Sequence, residues 1–307
     1  MAVNPTPDLT FVPKPEARGI ARAVILAGGQ GTRLRPYTSI LPKPLMPIGN
    51  RSILEIVIEQ LQHAGVVDVT LCVGYLSHLI RAVFDHRADQ SMAVTYVQEQ
   101  GARGTAGPLR LVEGLDETFI VMNGDVLTTL DYQDLLRYHR EHGNAVTIAT
   151  HDRRIKIDYG VLHIESEQTD VRIWGFEEKP EVVSTVSMGI YVIEPWVINL
   201  IPKGRRFDFP TLIQRLLRAG ERVGAYRYDG IWFDIGRQED YELAVEAWEA
   251  ANRKGKGRGN GNGDGKGRTH AKPGANGHAN GTANGHAKAL DRSGALSRER
   301  AVVSAGT

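Results

Sequence analysis

The sequence lacks the features that would place the protein across a membrane or in an oxidising compartment. It contains one cysteine, Cys72, in an apolar run typical of a buried segment, which excludes an internal disulfide and a cysteine metal cluster. No stretch approaches the roughly 18 consecutive apolar residues that a membrane helix needs. Residues 1–19 have several prolines and no apolar run, so we expect no secretory signal there. These absences predict a cytoplasmic protein without membrane contact.

A strong charge of one sign is also lacking, because the net charge of the 307 residues is +1. Residues 251–307 carry 11 Lys/Arg and 3 Asp/Glu, which leaves a net charge of −7 for residues 1–250. The basic segment contains no aromatic residue that could stack on bases, and glycine and asparagine dilute its charge. We therefore expect no nucleic-acid partner.

The composition divides the chain into three parts. Residues 1–19 are predicted to be an N-terminal lead-in, and residues 20–250 are predicted to form one folded catalytic domain. Residues 251–307 are low in complexity and contain almost nothing to bury, so burial cannot offset the entropy of ordering them. This basic tail is predicted to be disordered.

Strand and helix patterns alternate through the first part of the folded domain. The predicted strands are 23–27, 69–73, 94–97, 119–122 and 145–150, and the predicted helices are 52–64, a short one from 77, 109–114 and 131–142. Ser52 and Glu55 form the sequence signature of a capping box at the start of the first helix. This order predicts an α/β fold with a Rossmann-like, mostly parallel mixed sheet and helices on both faces.

The alternation of strands and helices ends after Thr150. Segments 160–165, 171–178 and 187–193 are predicted to be antiparallel strands, and segments 223–228 and 231–233 are predicted to be short strands. Helices are predicted over 209–219 and 237–250. We expect this half to extend the sheet and to lay a β-rich, sugar-binding lid over a crevice at the carboxyl ends of the parallel strands.

The segment Gly28–Pro47, reading GGQGTRLRPYTSILPKPLMP, directly follows the first predicted strand. A buried strand followed by glycines is typical of a phosphate-cradling loop. Its four prolines exclude one long helix, and it contains the cations Arg33, Arg35 and Lys43. The pattern predicts a fixed loop wrapped around a polyanion.

Two aspartates follow strand-like apolar segments in the same manner. Asp125 comes after Phe119–Met122, and Asp234 comes after Trp232 and Phe233. Carboxylates at such positions are typical ligands of hard cations, although either residue alone could instead cap a helix.

Seven motifs in a fixed order carry a resemblance to a known family. They are GG followed by GTRL and PKPL in 28–47, GTAG in 104–107, NGD in 123–125, DYG in 158–160, EEKP in 177–180, SMGIYV in 187–192 and WFDIG in 232–236. In this order they resemble the sugar-1-phosphate nucleotidyltransferases, especially short bacterial guanylyltransferase-like members that act on mannose 1-phosphate or heptose 1-phosphate.

The resemblance implies that a sugar 1-phosphate attacks the α-phosphorus of a nucleoside triphosphate with Mg²⁺ as cofactor. It implies that Arg33, Lys43 and Asp125 are catalytic and that Asp125 and Asp234 hold the metal. The implied nucleotide-binding residues are Leu26, Gly28, Gly29, Gly31, Thr32, Glu99, Gly104 and Thr105. The implied sugar-phosphate-binding residues are Asn123, Gly160, Glu178, Lys179 and Gly189. Similar enzymes are commonly homo-oligomers.

One motif departs from the pattern of the similar enzymes. Residues 99–107 read EQGARGTAG, so Arg103 stands where a leucine is usual and Gly101 stands where an acidic residue is common. This segment lies near the base in the family. GTP with mannose 1-phosphate or heptose 1-phosphate is our first hypothesis, and thymidylyl or cytidylyl transfer to glucose 1-phosphate stays open.

Two further classes of protein are alternatives. A Rossmann oxidoreductase needs a third glycine where this chain has Leu34, and it is therefore excluded. A non-catalytic, nucleotide-sugar-binding regulatory paralogue would share the fold. The presence of Arg33, Lys43, Asp125 and Asp234 favours the enzyme.

Overall fold

A seven-stranded mixed sheet forms the centre of the protein. The computed structural model describes residues 22–85, 92–167 and 170–256, and the predicted lead-in (1–19) and the tail from residue 257 lie outside these ranges. The strands are β1 (Arg22–Ala27), β2 (Pro47–Ile48), β3 (Arg51–Ser52), β4 (Asp68–Val73), β5 (Ala93–Gln98), β6 (Phe119–Asn123), β7 (Val126–Thr128), β8 (Val146–Lys156), β9 (Gly160–Glu167), β10 (Asp170–Glu178), β11 (Glu181–Ile193), β12 (Val223–Arg227) and β13 (Trp232–Asp234).

The central sheet has the order β12-β8-β11-β6-β1-β4-β5. Strands β6, β1, β4 and β5 are mutually parallel, and β12 is parallel to β8. Strand β11 pairs antiparallel with both β6 and β8, so it runs against the rest of the sheet. The predicted mostly parallel mixed sheet is confirmed.

Five α-helices accompany the sheet in the described residues. They are α1 (Ile53–His63), α2 (Ser77–Phe84), α3 (Tyr132–His142), α4 (Phe209–Arg218) and α5 (Gln238–Lys256). The predicted capping box is present at α1, where Ser52 Oγ accepts from the Glu55 N–H at 3.2 Å and Glu55 Oε2 accepts from the Ser52 N–H at 2.7 Å. Helix α3 begins after the capping residue Asp131 and ends at Gly143, whose φ is +57°.

Two hydrophobic cores cover the two faces of the sheet. Ala23, Ile25 and Ala27 of β1 belong to the core that contains the buried faces of α1 and α3. Val24, the residue between, belongs to the core that contains the buried face of α4. This alternation follows from the period of two along a strand, and it confirms helices on both faces. Cys72 is fully buried, as predicted.

The antiparallel half is longer than the sequence pattern predicts. Strands β8 and β11 continue together beyond the sheet as a ribbon from the Ser187–Thr150 pair to the Glu181–Lys156 pair. Strands β9 and β10 form a separate antiparallel pair, as predicted. The ribbon exposes the apolar side chains Ile155, Val182 and Val183 together with charged ones, so it lacks the buried face that marks a strand in a sequence.

Two predicted helices have different bounds in the structure. The predicted helix 109–114 is a 3₁₀ segment over Gly107–Leu111, and Gly114 has a φ of +68°, which does not continue a helix. The closing helix extends to Lys256, six residues beyond the predicted end at Ala250.

None of the helices in the described ranges has the length and apolar composition needed to cross a membrane.

The capping box of α1 can be tested by removing its hydroxyl. We expect Ser52→Ala to lower the free energy of unfolding by about 1 kcal/mol, because the Glu55 N–H loses its acceptor. Urea unfolding followed by circular dichroism measures the change. Ser52→Thr keeps the hydroxyl and is the control; equal unfolding midpoints for the two variants would contradict the assignment.

Candidate active site

A cleft of about 650 Å³ lies at the carboxyl ends of β6, β1, β4 and β5. Parallel strands present their carboxyl ends at one edge of a sheet, which is the usual place for a ligand in such folds. Twelve of the sequence-predicted site residues line this cleft: Leu26, Gly28, Gly29, Gly31, Thr32, Arg33, Lys43, Glu99, Gly104, Thr105, Asn123 and Asp125. The loop Gly28–Pro47 and Asp125 therefore share one cleft, as expected from their positions at the carboxyl ends of strands.

The loop after β1 is ordered by short turns rather than by a long helix. It contains 3₁₀ segments over Thr32–Leu34, Tyr37–Ser39 and Lys43–Leu45. Gly31 has a φ of +61°, and a Cβ there would lie 2.9 Å from a methyl of Thr38. The Thr38 hydroxyl donates to the Gly31 carbonyl at 2.8 Å. These contacts fix the loop in a form that requires glycine.

Four charged side chains converge where β1 and β6 end. Lys43 is buried and its Nζ forms an ion pair with Asp125 Oδ2. Strands β7 and β13 are paired, and the Asp125 carbonyl accepts from the Ile235 N–H at 3.1 Å, which brings Asp234 beside Asp125. Burial and the charge of Asp125 raise the pKa of Asp234, while Lys43 and Arg33 act in the opposite direction.

One carboxylate oxygen of this cluster has no hydrogen-bond donor within the described ranges. Asp125 Oδ1 is buried and has no hydrogen-bond partner among the described residues. No group of three or more His, Cys, Asp or Glu side chains in the described part of the chain is arranged to hold a metal. Mg²⁺ is usually bound by one or two carboxylates together with phosphates and water. The donor set of Asp125 and Asp234 fits such an ion.

Glu99 follows β5, and its side chain lines the cleft. Its carboxylate packs against Gly28, where a Cβ would collide with it. Burial raises the pKa of Glu99 to about 7, although the charge of Arg103 acts to lower it. A half-buried carboxylate beside a guanidinium in a ligand-sized cleft is a candidate for ligand recognition.

The loop containing Thr105 is held by α4 through an exchange of capping groups. Asp208 precedes α4 but makes no side-chain cap to it; its Oδ1 accepts from the Thr105 N–H at 2.9 Å. In return, Thr105 Oγ1 accepts from the Phe209 N–H at 2.9 Å. Gly104 has a φ of +76°, and a Cβ there would lie 2.5 Å from Asp208 Oδ1. This part of the cleft wall is therefore rigidly attached to α4.

The predicted sugar-phosphate residues form two groups outside the lining of the cleft, apart from Asn123. Gly160 pairs with Glu178 across β9 and β10, and the exposed Lys179 follows with a φ of +48°. Gly189 has a φ of +74°, and a Cβ there would lie 2.5 Å from Asn123 Nδ2. The structure thus brings Gly189 to the cleft residue Asn123, and it keeps Glu178 and Lys179 at the turn between β10 and β11.

Gly74 and Tyr75 line the cleft but are not among the residues predicted from the sequence. A Cβ at Gly74 would lie 2.8 Å from the Gly28 carbonyl, and the Tyr75 N–H donates to the same carbonyl at 3.3 Å. Both residues follow β4, so the strand-end rule that selects Gly28 and Asp125 also selects them. Gly101, Ala102 and Arg103 line the cleft as well.

Comparison with known proteins gives a consistent result. The Nucleotidyl transferase family model matches residues 22–251. A mannose-1-phosphate guanyltransferase from Candida albicans is 33% identical over 231 residues, covering 72% of this chain and 62% of its own length. A UTP–glucose-1-phosphate uridylyltransferase from Synechocystis sp. is 33% identical over 244 residues, covering 73% of this chain and 62% of its own length.

A solved structure shares the fold. The crystal structure of HddC from Yersinia pseudotuberculosis complexed with GMP-PN has a TM-score of 0.56 and 26% identity, and the match covers 74% of this chain and 99% of that chain. The present chain spans about 62% of the length of the two curated relatives above. The family model nevertheless accounts for nearly all of the described residues. The chain therefore belongs to the nucleotidyl transferase family.

Proposed function

We propose that this protein transfers a nucleotidyl group from a nucleoside triphosphate to a sugar 1-phosphate. An oxygen of the sugar phosphate attacks the α-phosphorus, the bond from that phosphorus to the β-phosphate oxygen breaks, and pyrophosphate leaves. The observation that carries the proposal is the convergence of Arg33, Lys43 and Asp125 in a cleft beside a glycine-rich loop, with the Asp234 carboxylate close to Asp125 although it does not line the cleft. Both curated relatives are named for reactions of this type.

The chemistry places modest demands on acid–base groups and strong demands on electrostatics. A phosphate monoester has a second pKa near 6, so it is largely dianionic at pH 7 and needs no general base. The difficulty is that two polyanions must meet in line. Arg33 neutralises the triphosphate and the charge that develops on pyrophosphate. Lys43, fixed between Pro42 and Pro44, acts at the α-phosphate.

Asp125 and Asp234 would hold Mg²⁺ in this proposal. The unpartnered, buried Oδ1 of Asp125 and the proximity of the Asp234 carboxylate support this assignment. When bound, the ion would neutralise phosphate oxygens and help to align the reacting groups. Lys43 balances the charge of Asp125 and so keeps the two carboxylates close to one another.

The charge distribution orients the nucleotide in the cleft. Neighbouring strands lie about 4.8 Å apart, so the backbone ends of β6 and β5 are roughly 14 Å apart, and the Glu99 side chain reaches back from β5 to Gly28. The cations and the carboxylate pair lie at the β1 and β6 end, which suits the phosphates. The carboxylate of Glu99, which reaches from the end of β5 to Gly28, would repel phosphates, so we assign the base to this part of the cleft.

The preferred substrates in this proposal are GTP with mannose 1-phosphate or heptose 1-phosphate. The name of the Candida albicans relative and the GMP-PN in the HddC structure support guanine. The uridylyltransferase relative shows that the family uses more than one base, and thymidylyl or cytidylyl transfer to glucose 1-phosphate is the second candidate. The nucleotide substrate supports the predicted cytoplasmic location, and a homo-oligomer stays a prediction.

The reaction is tested by a matrix of triphosphates and sugar 1-phosphates in the presence of Mg²⁺. We expect pyrophosphate release that requires both substrates and is fastest with GTP and mannose 1-phosphate or heptose 1-phosphate. An enzyme-coupled pyrophosphate assay measures the rates, and mass spectrometry identifies the nucleotide sugar. Silence across the whole matrix, with nucleotide-sugar binding intact, would instead establish a regulatory paralogue.

The carboxylate pair is tested by Asp125→Asn and Asp234→Asn. We expect either variant to lose about 100-fold or more in kcat and to need more Mg²⁺ for half-maximal rate, because a neutral amide is a weaker ligand for a hard cation. Rates across a Mg²⁺ titration measure the effect, and thermal unfolding verifies the fold. Asp116→Asn, on an exposed loop, is the matched control. Near-normal rates with an unchanged Mg²⁺ dependence would refute the metal assignment.

Lys179→Ala tests the sugar-phosphate assignment. We expect the KM for the sugar 1-phosphate to rise about 10- to 100-fold, as for loss of a charge-assisted hydrogen bond, with little change in the KM for the triphosphate. Initial rates with each substrate varied in turn separate the two constants. Lys156→Ala removes an exposed lysine from the nearby ribbon and serves as the control. A selective effect on the triphosphate would show that Lys179 is misassigned.

A further inference from the structure

Arg103 lines the cleft, and one of its N–H donors has no hydrogen-bond acceptor within the described part of the chain. Its Nε is buried and has no hydrogen-bond partner among the described residues. Because Nε is buried, a ligand in the cleft would meet the terminal nitrogens of the guanidinium rather than Nε. The side chain lines the part of the cleft that the proposed function assigns to the base.

The backbone around Arg103 is held in place. Its carbonyl accepts from the Phe207 N–H at 2.9 Å, and the next two residues are fixed by the exchange of caps with Asp208. The Ala106 N–H donates to the Phe207 carbonyl at 3.0 Å. A side chain that recognises a base needs such support, because a specific hydrogen bond forms only when the backbone holds the donor at a fixed position.

Arg103 lies close enough to Glu99 for their charges to interact, and both residues line the cleft. The two side chains have opposite hydrogen-bonding capacities and line the same cleft. The guanidinium offers only donors, and the ionised carboxylate offers only acceptors. A ligand that satisfies both must carry an acceptor edge beside a donor edge.

Among the common bases, guanine presents two adjacent acceptors beside two adjacent donors, whereas cytosine has its acceptors N3 and O2 beside one amino group. In guanine, O6 and N7 are the adjacent acceptors, and N1–H and N2–H₂ are the adjacent donors. Uracil and thymine carry one N–H between two carbonyls, which gives the carboxylate a single donor. Adenine presents an amino group where guanine presents O6, which opposes the guanidinium.

We propose that Arg103 selects the base by donating to O6 and N7 of guanine while Glu99 accepts from N1–H and N2–H₂. This inference rests on the proposed function, because it requires a nucleoside triphosphate in the cleft. It assigns the departure from the usual leucine at this position to base selection.

The experiment compares GTP, 7-deaza-GTP, ITP and UTP with the full-length wild-type protein, Arg103→Leu and Glu99→Gln. 7-Deaza-GTP lacks the N7 acceptor, and ITP lacks the N2 amino group. We expect Arg103→Leu to lower kcat/KM for GTP about 10- to 100-fold and to leave UTP nearly unchanged. The wild type should discriminate against 7-deaza-GTP, and Arg103→Leu should not. Glu99→Gln should reduce the discrimination between GTP and ITP.

Arg110→Leu is the matched control, because Arg110 also has a buried Nε without a hydrogen-bond partner but does not line the cleft. Its base preference should equal that of the wild type. Thermal unfolding of each variant verifies the fold, and Arg103→Lys replaces Arg103→Leu if the latter does not fold; a point charge in place of the planar fork should retain part of the affinity for GTP.

Three results would overturn the inference. If Arg103→Leu lowered kcat/KM equally for every triphosphate, Arg103 would contact the phosphates. If the ratios of kcat/KM between triphosphates were the same in Arg103→Leu and the wild type, Arg103 would not contact the base. A wild-type preference for UTP over GTP would exclude the guanine assignment. If no triphosphate supports turnover, the proposed function fails, and competition between GTP and UTP for equilibrium binding still decides the role of Arg103.

Discussion

The ion pair between Lys43 and Asp125 is the contact on which the rest of the cleft depends. It joins the proline-rich loop after β1 to the end of β6, and the pairing of β7 with β13 adds Asp234 to the same place. A lysine in this position compensates two neighbouring carboxylates that would otherwise repel each other. Because the groups come from segments far apart in the sequence, the cleft is complete only when the sheet is assembled.

The strand order explains how one cleft can serve both a base and a chain of phosphates. Four parallel strands, β6, β1, β4 and β5, end at the same edge, and each is followed by residues of different chemistry. The reversed strand β11 lies on the other side of β6 and brings Gly189 against Asn123. The nucleotide end and the sugar end in the proposed function therefore lie on opposite sides of β6.

Much of this arrangement could be predicted from the sequence because strong local signals coincide with it. The apolar run before Gly28, the capping box at Ser52 and the glycine at 143 define elements whose type and position the structure confirms. The β8–β11 ribbon was harder to predict because it exposes apolar as well as charged side chains, so no buried face marks its strands. Gly74 was absent from the predicted sites although it follows β4 and the strand-end rule selects it. Arg103 was noted only as a departure from the usual leucine, because the support of its loop by Phe207 depends on packing between distant segments.

The reciprocal hydrogen bonds of Thr105 and Asp208 have a consequence for local unfolding of the protein. Each residue satisfies a backbone N–H of the other segment, so neither the cleft wall nor the first turn of α4 is complete alone. Local unfolding of one segment exposes donors in the other, which makes the two segments a single cooperative unit. We therefore expect amide protons on both sides of this contact to exchange with solvent through a shared opening event, although more than 100 residues separate them.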